Sequence, residues 1–277
     1  MSTRVPAQDA VLEPGPLLSG KAALITGASR GIGLAIAARL GRMGASVAIC
    51  ARNGEALERA AAALRGQGMT TLPIVADVTR TEDVERMIGH VSAQLGEIEI
   101  LVNNAGIGIF GPFHERSEAD WDAVLGTNLK AVFLTSRAVA SRMIRLGRGH
   151  IINISSFLSR VPMATIRSAY SASKAALNSL TANLRMDLAG AHPAIHVTLV
   201  MPGLVSTEFA KHALHGTPPM SPAAAAGAQT ADEVAAVIVG VIDRPVAEVY
   251  TGPQLAPLAR RYFEDVGAFE RSMSASR

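Results

Sequence analysis

The stretch Thr26–Gly33, TGASRGIG, decides the fold. It follows the apolar run Lys21–Thr26 and opens an amphipathic pattern over Gly31–Met43, so the chain passes from strand to helix through a glycine-rich turn. Gly27, Gly31 and Gly33 let that turn be tight and let a ligand approach the backbone closely. The helix start then presents free N–H groups and the positive end of its dipole, which suits a pyrophosphate. Ser29, Arg30 and Ile32 fill the remaining positions. The spacing differs from the common dinucleotide pattern G-x-G-x-x-G. Position at the first strand–helix junction, rather than the pattern, therefore favours phosphate binding over a plain tight turn.

The same alternation continues outward. Ser46–Cys50, Thr71–Ala76, Ile98–Asn103, His150–Ser155 and Ile195–Met201 read as strands, with helices over Glu55–Arg65, Glu82–Leu95, Asp120–Leu146 and Ala169–Leu188. Strands alternating with helices predict right-handed crossovers and one parallel sheet covered on both faces. The strands are almost wholly apolar, as a sheet buried on both sides requires. The expected architecture is α/β, a three-layer doubly wound parallel sheet, in a single domain over residues 20–252. Within it, Gly203–Thr230 shows no clear period, and a loop of that length predicts a substrate lid over about 204–230. TADE, Thr230–Glu233, predicts a capping box that starts a helix through about Ile242. A last strand, Ala247–Thr251, precedes a tail, 253–277, in which Leu255, Leu258, Tyr262, Phe263, Val266 and Phe269 recur at helical spacing. That stripe is expected to dock on its own subunit or on a neighbour.

With 277 residues, 49% of them hydrophobic, the chain can bury a large core without disulfides or metals. Its single cysteine, Cys50, ends an apolar run and reads as a buried structural thiol. One cysteine suits a reducing compartment, and a cytoplasmic location is expected. A net charge of +3 with scattered arginines argues against nucleic acid as a partner. No apolar run is long enough for an integral membrane segment, and the seven histidines show no metal-ligand spacing. Residues 1–19 mix prolines with Asp9 and Glu13, lack the apolar core of a signal peptide and read as a loose N-terminal arm.

The end of the second strand bears on the ligand. An acidic residue there would accept hydrogen bonds from a ribose 2′-hydroxyl. The sequence instead runs CARN, Cys50–Asn53, with Arg52 and no carboxylate. Arg30 can reach the same region, and two guanidinium groups suit a 2′-phosphate. The competing reading is a pair of solvated arginines in an arginine-rich chain. At roughly 1.5–3 kcal/mol per charge-assisted contact, the pair would favour NADP(H) over NAD(H) by about a hundredfold or more.

SAYSASKAA, Ser168–Ala176, holds one of three tyrosines and one of four lysines, in a chain with 22 arginines. Tyr170 and Lys174 stand at i and i+4 of a predicted helix and share a face. A tyrosine titrates near ~10, too high for acid–base work at neutral pH. A nearby ammonium and an oxidised nicotinamide ring would lower that value. The bland alternative is a buried tyrosine with a snorkelling lysine, and the pair alone does not decide. Upstream, NISS, Asn153–Ser156, ends the fifth strand, at the sheet edge where open parallel sheets bind ligands. A serine hydroxyl there can polarise a carbonyl. No G-x-S-x-G elbow surrounds it, so an esterase nucleophile is not expected.

Together these residues resemble the short-chain dehydrogenase/reductases in their compact, single-domain, Rossmann-like branch, over about Ser19–Gly252. TGASRGIG, ADV (Ala76–Val78), NNAG (Asn103–Gly106), TNL (Thr127–Leu129), NISS, YSASK (Tyr170–Lys174) and PGLVST (Pro202–Thr207) occur in the family's order. The resemblance implies Tyr170 as general acid/base, Lys174 as its partner and ribose ligand, and Ser156 as carbonyl polariser. Asn128 would hold a relay water. Asp77 and Val78 would meet the adenine, while Asn103 ties neighbouring strands. The cofactor would also contact Gly27, Ser29, Arg30, Gly31, Ile32, Gly33, Asn53, Asn104, Ala105, Gly106, Ile154, Pro202, Gly203, Val205 and Thr207. Phe157 and Phe209 would face the substrate with Ser156 and Tyr170. A homotetramer or homodimer built on the Tyr170 helix and the helix before it is implied as well. The Ser156–Tyr170 stretch is one residue longer than the family's usual spacing; aligning NISS selects Ser156 over Ser155 and Ser159.

The expected function is an NADP(H)-dependent oxidoreductase interconverting a secondary alcohol and a ketone. Apolar residues after NNAG (Ile107, Ile109, Phe110), the stretch Phe157–Ile166 and the lid from Phe209 suggest an apolar small-molecule substrate. His212 and His215 in the lid point to substrate or solvent, and Asp120, Trp121 and Asp122 to the start of the long helix. A 3-oxoacyl carrier-protein reductase is the alternative, disfavoured by arm, lid and tail. A non-catalytic NADP-binding regulator would not need Asn128, Ser156, Tyr170 and Lys174 together, and no second domain follows as in related epimerases.

Overall fold

The computed structural model describes residues 17–216 and 225–275; most of the N-terminal arm and the centre of the lid lie outside the described residues. Strands β1 (Ala22–Thr26), β2 (Ser46–Ala51), β3 (Thr71–Val75), β4 (Ile98–Asn103), β5 (Gly149–Ile154), β6 (Ile195–Met201) and β9 (Glu248–Tyr250) form one parallel sheet. Its order is β3-β2-β1-β4-β5-β6-β9. The remaining strands, β7 (Val205–Ser206) and β8 (Gln229–Thr230), pair with each other and clamp the two ends of the lid.

Strand alternation divides the core into two layers, because successive side chains leave opposite faces. Ala23, Ile25, Val47, Ile49, Ile100, Val102, Ile152 and Ile154 pack against α1 (Gly31–Arg42), α2 (Gly54–Arg65) and α7 (Ala231–Asp243). Leu24, Ala48, Cys50, Leu101 and Ile151 face α3 (Thr81–Leu95) and α5 (Ala131–Leu146) on the other side. Both faces are therefore dry, which explains the apolar runs along the strands, and buried polar residues in them are hydrogen-bonded, as Asn103 to Asn153 and His150 to Thr198. Cys50 is buried in this second layer and its thiol is pushed up to about 12 by burial, which makes it inert.

Sequence and structure part company at the expected helix 120–146. It starts earlier, as α4 (Glu118–Leu125), because Ser117 accepts from the N–H of Asp120 while the Asp120 carboxylate accepts from the N–H of Ser117. Asp120 is thus part of the cap, and Trp121 follows it on the surface. A π-helical turn over Gly126–Lys130 then separates α4 from α5. The capping box expected at Thr230–Glu233 is present at the start of α7. The long helix α6 (Ser168–Ala189) carries Tyr170 and Lys174.

The tail folds into α8 (Leu255–Glu264) and α9 (Val266–Ala275). Leu255, Leu258, Tyr262 and Phe269 dock on their own subunit, against Phe157, Val161 and Tyr250. Phe263 and Val266, expected in the same stripe, stay exposed: Phe263 follows Tyr262 around α8 and leaves the docked face, and Val266 comes after the turn between the two helices. Among the described residues no helix is long and apolar enough to cross a membrane, and no group of three His, Cys, Asp or Glu could hold a metal.

Candidate active site

The strand order reverses between β1 and β4, and a cavity of about 900 Å³ opens where the C-terminal ends of β2, β4 and β5 meet the first turns of the helices. The residues expected to contact the cofactor or to catalyse border it, except Gly33 and Asn128, and so do Phe157 and Phe209, expected to face the substrate.

Gly33 stands behind the wall for a steric reason. A Cβ there would lie 2.5 Å from Asn104 Nδ2 and 2.6 Å from the Gly27 carbonyl oxygen. Gly27 itself has φ +65°, and a Cβ on it would come within 2.7 Å of Ala105 Cα. Asn104 closes this junction by donating from Nδ2 to the carbonyls of Thr26 and Gly27, both at 3.0 Å. Thr26 Oγ1 accepts from the N–H groups of Asn104 and Ala105 at 3.1 Å. The glycine turn and NNAG are therefore one knitted unit.

Helices α4 and α7 close their N-termini with capping boxes. Helix α1 begins at Arg30 without a side-chain cap and with no acidic residue in its first turn. Its N–H groups are left for an anion at the cavity wall, with Thr207 facing Gly31 across the gap. Arg30 and Arg52 are exposed at the same end and have no ion-pair partner among the described residues. Asp77 borders the cavity with Oδ1 already accepting from the N–H and hydroxyl of Thr79, at 2.9 and 2.7 Å. Asn53 uses its side-chain oxygen to cap α2, leaving only its amide nitrogen for a ligand.

At the other end, Ser156 and Tyr170 border the same cavity, and the Ser156 hydroxyl favours the Tyr170 phenolate. The Ser156 hydroxyl also accepts from the N–H of Leu158 at 3.2 Å. Ser155 and Ser159 are spent elsewhere: Ser155 Oγ donates to Asn178 Oδ1 at 2.7 Å, and Ser159 accepts from Asn178 Nδ2 at 2.8 Å. Lys174 is buried, and its Nζ donates to the Ile154 carbonyl at 2.8 Å. Burial draws that ammonium down to about 8. Burial also pushes the Tyr170 phenol above its usual range, opposed by the Ser156 hydroxyl and the Arg167 charge.

Asn128 lies in the π turn, fully buried. Its Oδ1 accepts from the N–H of Ile107 at 2.9 Å, and its Nδ2 donates to the Ile107 carbonyl and Ser173 Oγ, both at 3.0 Å. Both amide hydrogens are consumed. Gly106 is held between this amide and Lys174, since a Cβ there would meet Asn128 Oδ1 at 3.2 Å and Lys174 Nζ at 3.6 Å. Asn103 donates to Asn153 at 2.8 Å and so ties β4 to β5, as expected.

A family model described as short chain dehydrogenase matches residues 21–217. The chain belongs to the short-chain dehydrogenase/reductase family. It is 41% identical over 192 residues to gluconate 5-dehydrogenase of Gluconobacter oxydans, covering 69% of this chain and 74% of that protein. A short-chain dehydrogenase/reductase from Burkholderia phymatum, solved in complex with NAD, superposes with a TM-score of 0.83 at 28% identity, over 91% of this chain and 96% of that one. A short chain dehydrogenase from Burkholderia cenocepacia, solved with NADP, gives 0.75 at 34% identity, over 84% and 97%. A nicotinamide cofactor and oxidoreduction between a secondary alcohol and a ketone come with membership.

Within this family frame, several residues that sequence reading passed over also border the cavity. Gln254, Leu255 and Leu258 bring the tail into the wall. Arg167 stands one helical turn before Tyr170 and stacks on Phe110, 3.9 Å above the ring centre. Its spacing to Tyr170 was the available signal. Ile109, expected to face the substrate, is instead buried against Val124 and Tyr170 and bridges to Leu214 of the lid. His215 also faces away, with Nε2 2.8 Å from Asp120 Oδ1 at the start of α4.

Proposed function

We propose that this chain is an NADP(H)-dependent ketone reductase and secondary-alcohol dehydrogenase, with Tyr170 as its proton donor and acceptor. The observation that carries it is one continuous cavity with Arg30 and Arg52 at one end and Ser156, Tyr170 and Lys174 at the other. The bound nicotinamide supplies or accepts the hydride. Ser156 holds the substrate oxygen, and the Tyr170 hydroxyl gives its proton to that oxygen in reduction and takes it back in oxidation. Lys174, anchored on Ile154, turns its remaining N–H groups toward the ribose position. Asn128 positions Ile107 and Ser173 around that lysine. Arg30 and Arg52 hold the 2′-phosphate, and the uncapped start of α1 holds the pyrophosphate.

The substrate end is walled by Ile107, Phe110, Phe157, Leu158, Phe209 and Leu255, which favours a compound with an apolar body. Segment 204–230 serves as its lid, and tail helix α8 closes the far side. Exposed Phe133 on α5 and Met186 on α6 fit a homo-oligomer built on those helices. The deciding experiment is fluorescence titration with NADPH and NADH, followed by a ketone panel with each. Tighter NADPH binding with turnover is expected. Equal affinity would remove the two-arginine argument, and binding without turnover would favour a regulatory protein on the same scaffold.

A further inference from the structure

We propose that Arg167 is a specificity residue that binds an anionic group of the substrate, a carboxylate above all, so that this enzyme acts on oxo acids or hydroxy acids rather than neutral ketones. The inference rests on the oxidoreductase reading and narrows its substrate.

Arg167 precedes α6 and borders the cavity beside Tyr170. Its Cζ lies 3.9 Å from the centre of the Phe110 ring, so the aromatic face holds the guanidinium at the cavity wall. Its N–H donors then serve a ligand, and arginine takes a carboxylate in two parallel hydrogen bonds. None of those donors has a hydrogen-bond partner, and no carboxylate lies within 4 Å, among the described residues. The neighbouring arginines differ. Arg160 is paired with Glu248 at 2.6 Å, and Arg116 directs Nη1 to the Phe110 carbonyl and Nη2 to Glu115, with its buried Nε unpartnered among the described residues. Of the two carboxylates that border the cavity, Asp77 accepts from Thr79, and Glu208 is flanked by Lys211 at 3.6 Å and His212 at 4.0 Å.

A half-buried cation without a counter-ion is costly. The backbone before it is strained as well. Ile166 has φ +57°, a region that β-branched residues avoid, and its carbonyl is pinned by the N–H of Gly111 at 3.0 Å. Strain held in place next to an unpaired charge marks a ligand clamp. Because Arg167 and Tyr170 lie one turn apart on the same side, acid and ketone would sit a few carbons from each other in one molecule.

The test uses the full chain with saturating NADPH and a series of methyl ketones CH3CO(CH2)nCO2−, each compared with its own methyl ester. Steady-state turnover and calorimetric binding to the NADP+ complex are both read, for wild type, Arg167→Gln and Arg167→Lys. The expected result is a preference for acid over ester of tenfold or more at the best chain length, falling to within threefold of unity in Arg167→Gln and partly kept in Arg167→Lys. A wild-type ratio near one, or a preference that survives Arg167→Gln, overturns the proposal. So does an equal loss on acid and ester with the ratio intact, since Arg167 would then act only through Tyr170. Failure to turn over any compound with NADP+ still bound defeats the oxidoreductase reading instead, while calorimetry continues to decide Arg167.

Discussion

Lys174 Nζ donates to the Ile154 carbonyl oxygen at 2.8 Å, so a buried ammonium fastens α6 to the end of β5. The interaction costs stability at neutral pH. Below about 8 the folded chain carries a desolvated charge, whereas the unfolded chain keeps its lysine protonated up to the ordinary 10.5. Between those values the unfolded state binds more protons, so stability rises with pH. Relative to Lys174→Met, the wild type should gain up to about 3 kcal/mol from pH 8 to 10.5. Urea denaturation of both proteins across that range measures the difference. A flat difference would place the ammonium in water.

Tyr170→Phe removes the cavity-lining phenol hydroxyl and keeps the ring that packs beside Phe209 at 5.9 Å. Turnover is expected to fall by about 10³-fold, within the range for loss of a general acid, with NADPH affinity changed less than about threefold. Burial holds the phenol above its usual range, so alcohol oxidation, which needs the phenolate, should climb through the alkaline range. Retained ketone reduction in this variant would remove Tyr170 as the proton donor.

Arg52 follows the last residue of β2 and is exposed at the cavity's end without a described ion-pair partner. Arg52→Ala should weaken NADPH by about 10- to 100-fold, one charge-assisted contact of roughly 1.5–3 kcal/mol, and leave NADH within about twofold. Paired fluorescence titrations give both numbers. Parallel losses for the two nucleotides would return Arg52 to the solvated surface.

Parts of this arrangement were legible before any coordinates, and physical reasons separate them from the rest. Strands such as Ala22–Thr26 are dry on both faces, so they appear as apolar runs bounded by turn residues. The knitting of NNAG to the glycine turn follows from residue types, since only small residues tolerate backbones this close. The π turn at Asn128 leaves no such trace, because it changes the helical register by one residue and its cause, the Ile107 main chain, lies on another segment. Arg167 was legible only as a residue one turn before Tyr170, and its stack was hidden. Its partner ring, Phe110, comes from the loop after β4, and no local pattern announces a stack formed across the cavity.

Gly33→Ala places a methyl group 2.5 Å from Asn104 Nδ2 and 2.6 Å from the Gly27 carbonyl, so α1 must shift away from NNAG. A loss of at least about 2 kcal/mol is expected, in the range of overpacking, together with a drop of tenfold or more in NADPH affinity. Gly240→Ala in α7 is the control, since nothing lies within 4 Å of its Cβ position. That change should stabilise by about 0.5–1 kcal/mol through helix propensity. Similar melting temperatures for the two variants would show that the glycine turn yields more than its contacts suggest.

Leu255 links the tail to the chemistry. It is 6% exposed, packs in the cluster of Phe157 and Val161, and lies against Gly203, where a Cβ would meet it at 3.3 Å. Leu255→Ala should cost about 2–5 kcal/mol, the range for truncating a buried leucine. Because Leu255 borders the substrate end and Arg52 the other, KM for the ketone should rise while the NADPH affinity holds. Truncation after Gly252 should act the same way and more strongly, since it also uncovers Phe157 and Val161. If KM and substrate range survive that truncation, the helices dock without forming the substrate wall, and their contribution is to stability alone.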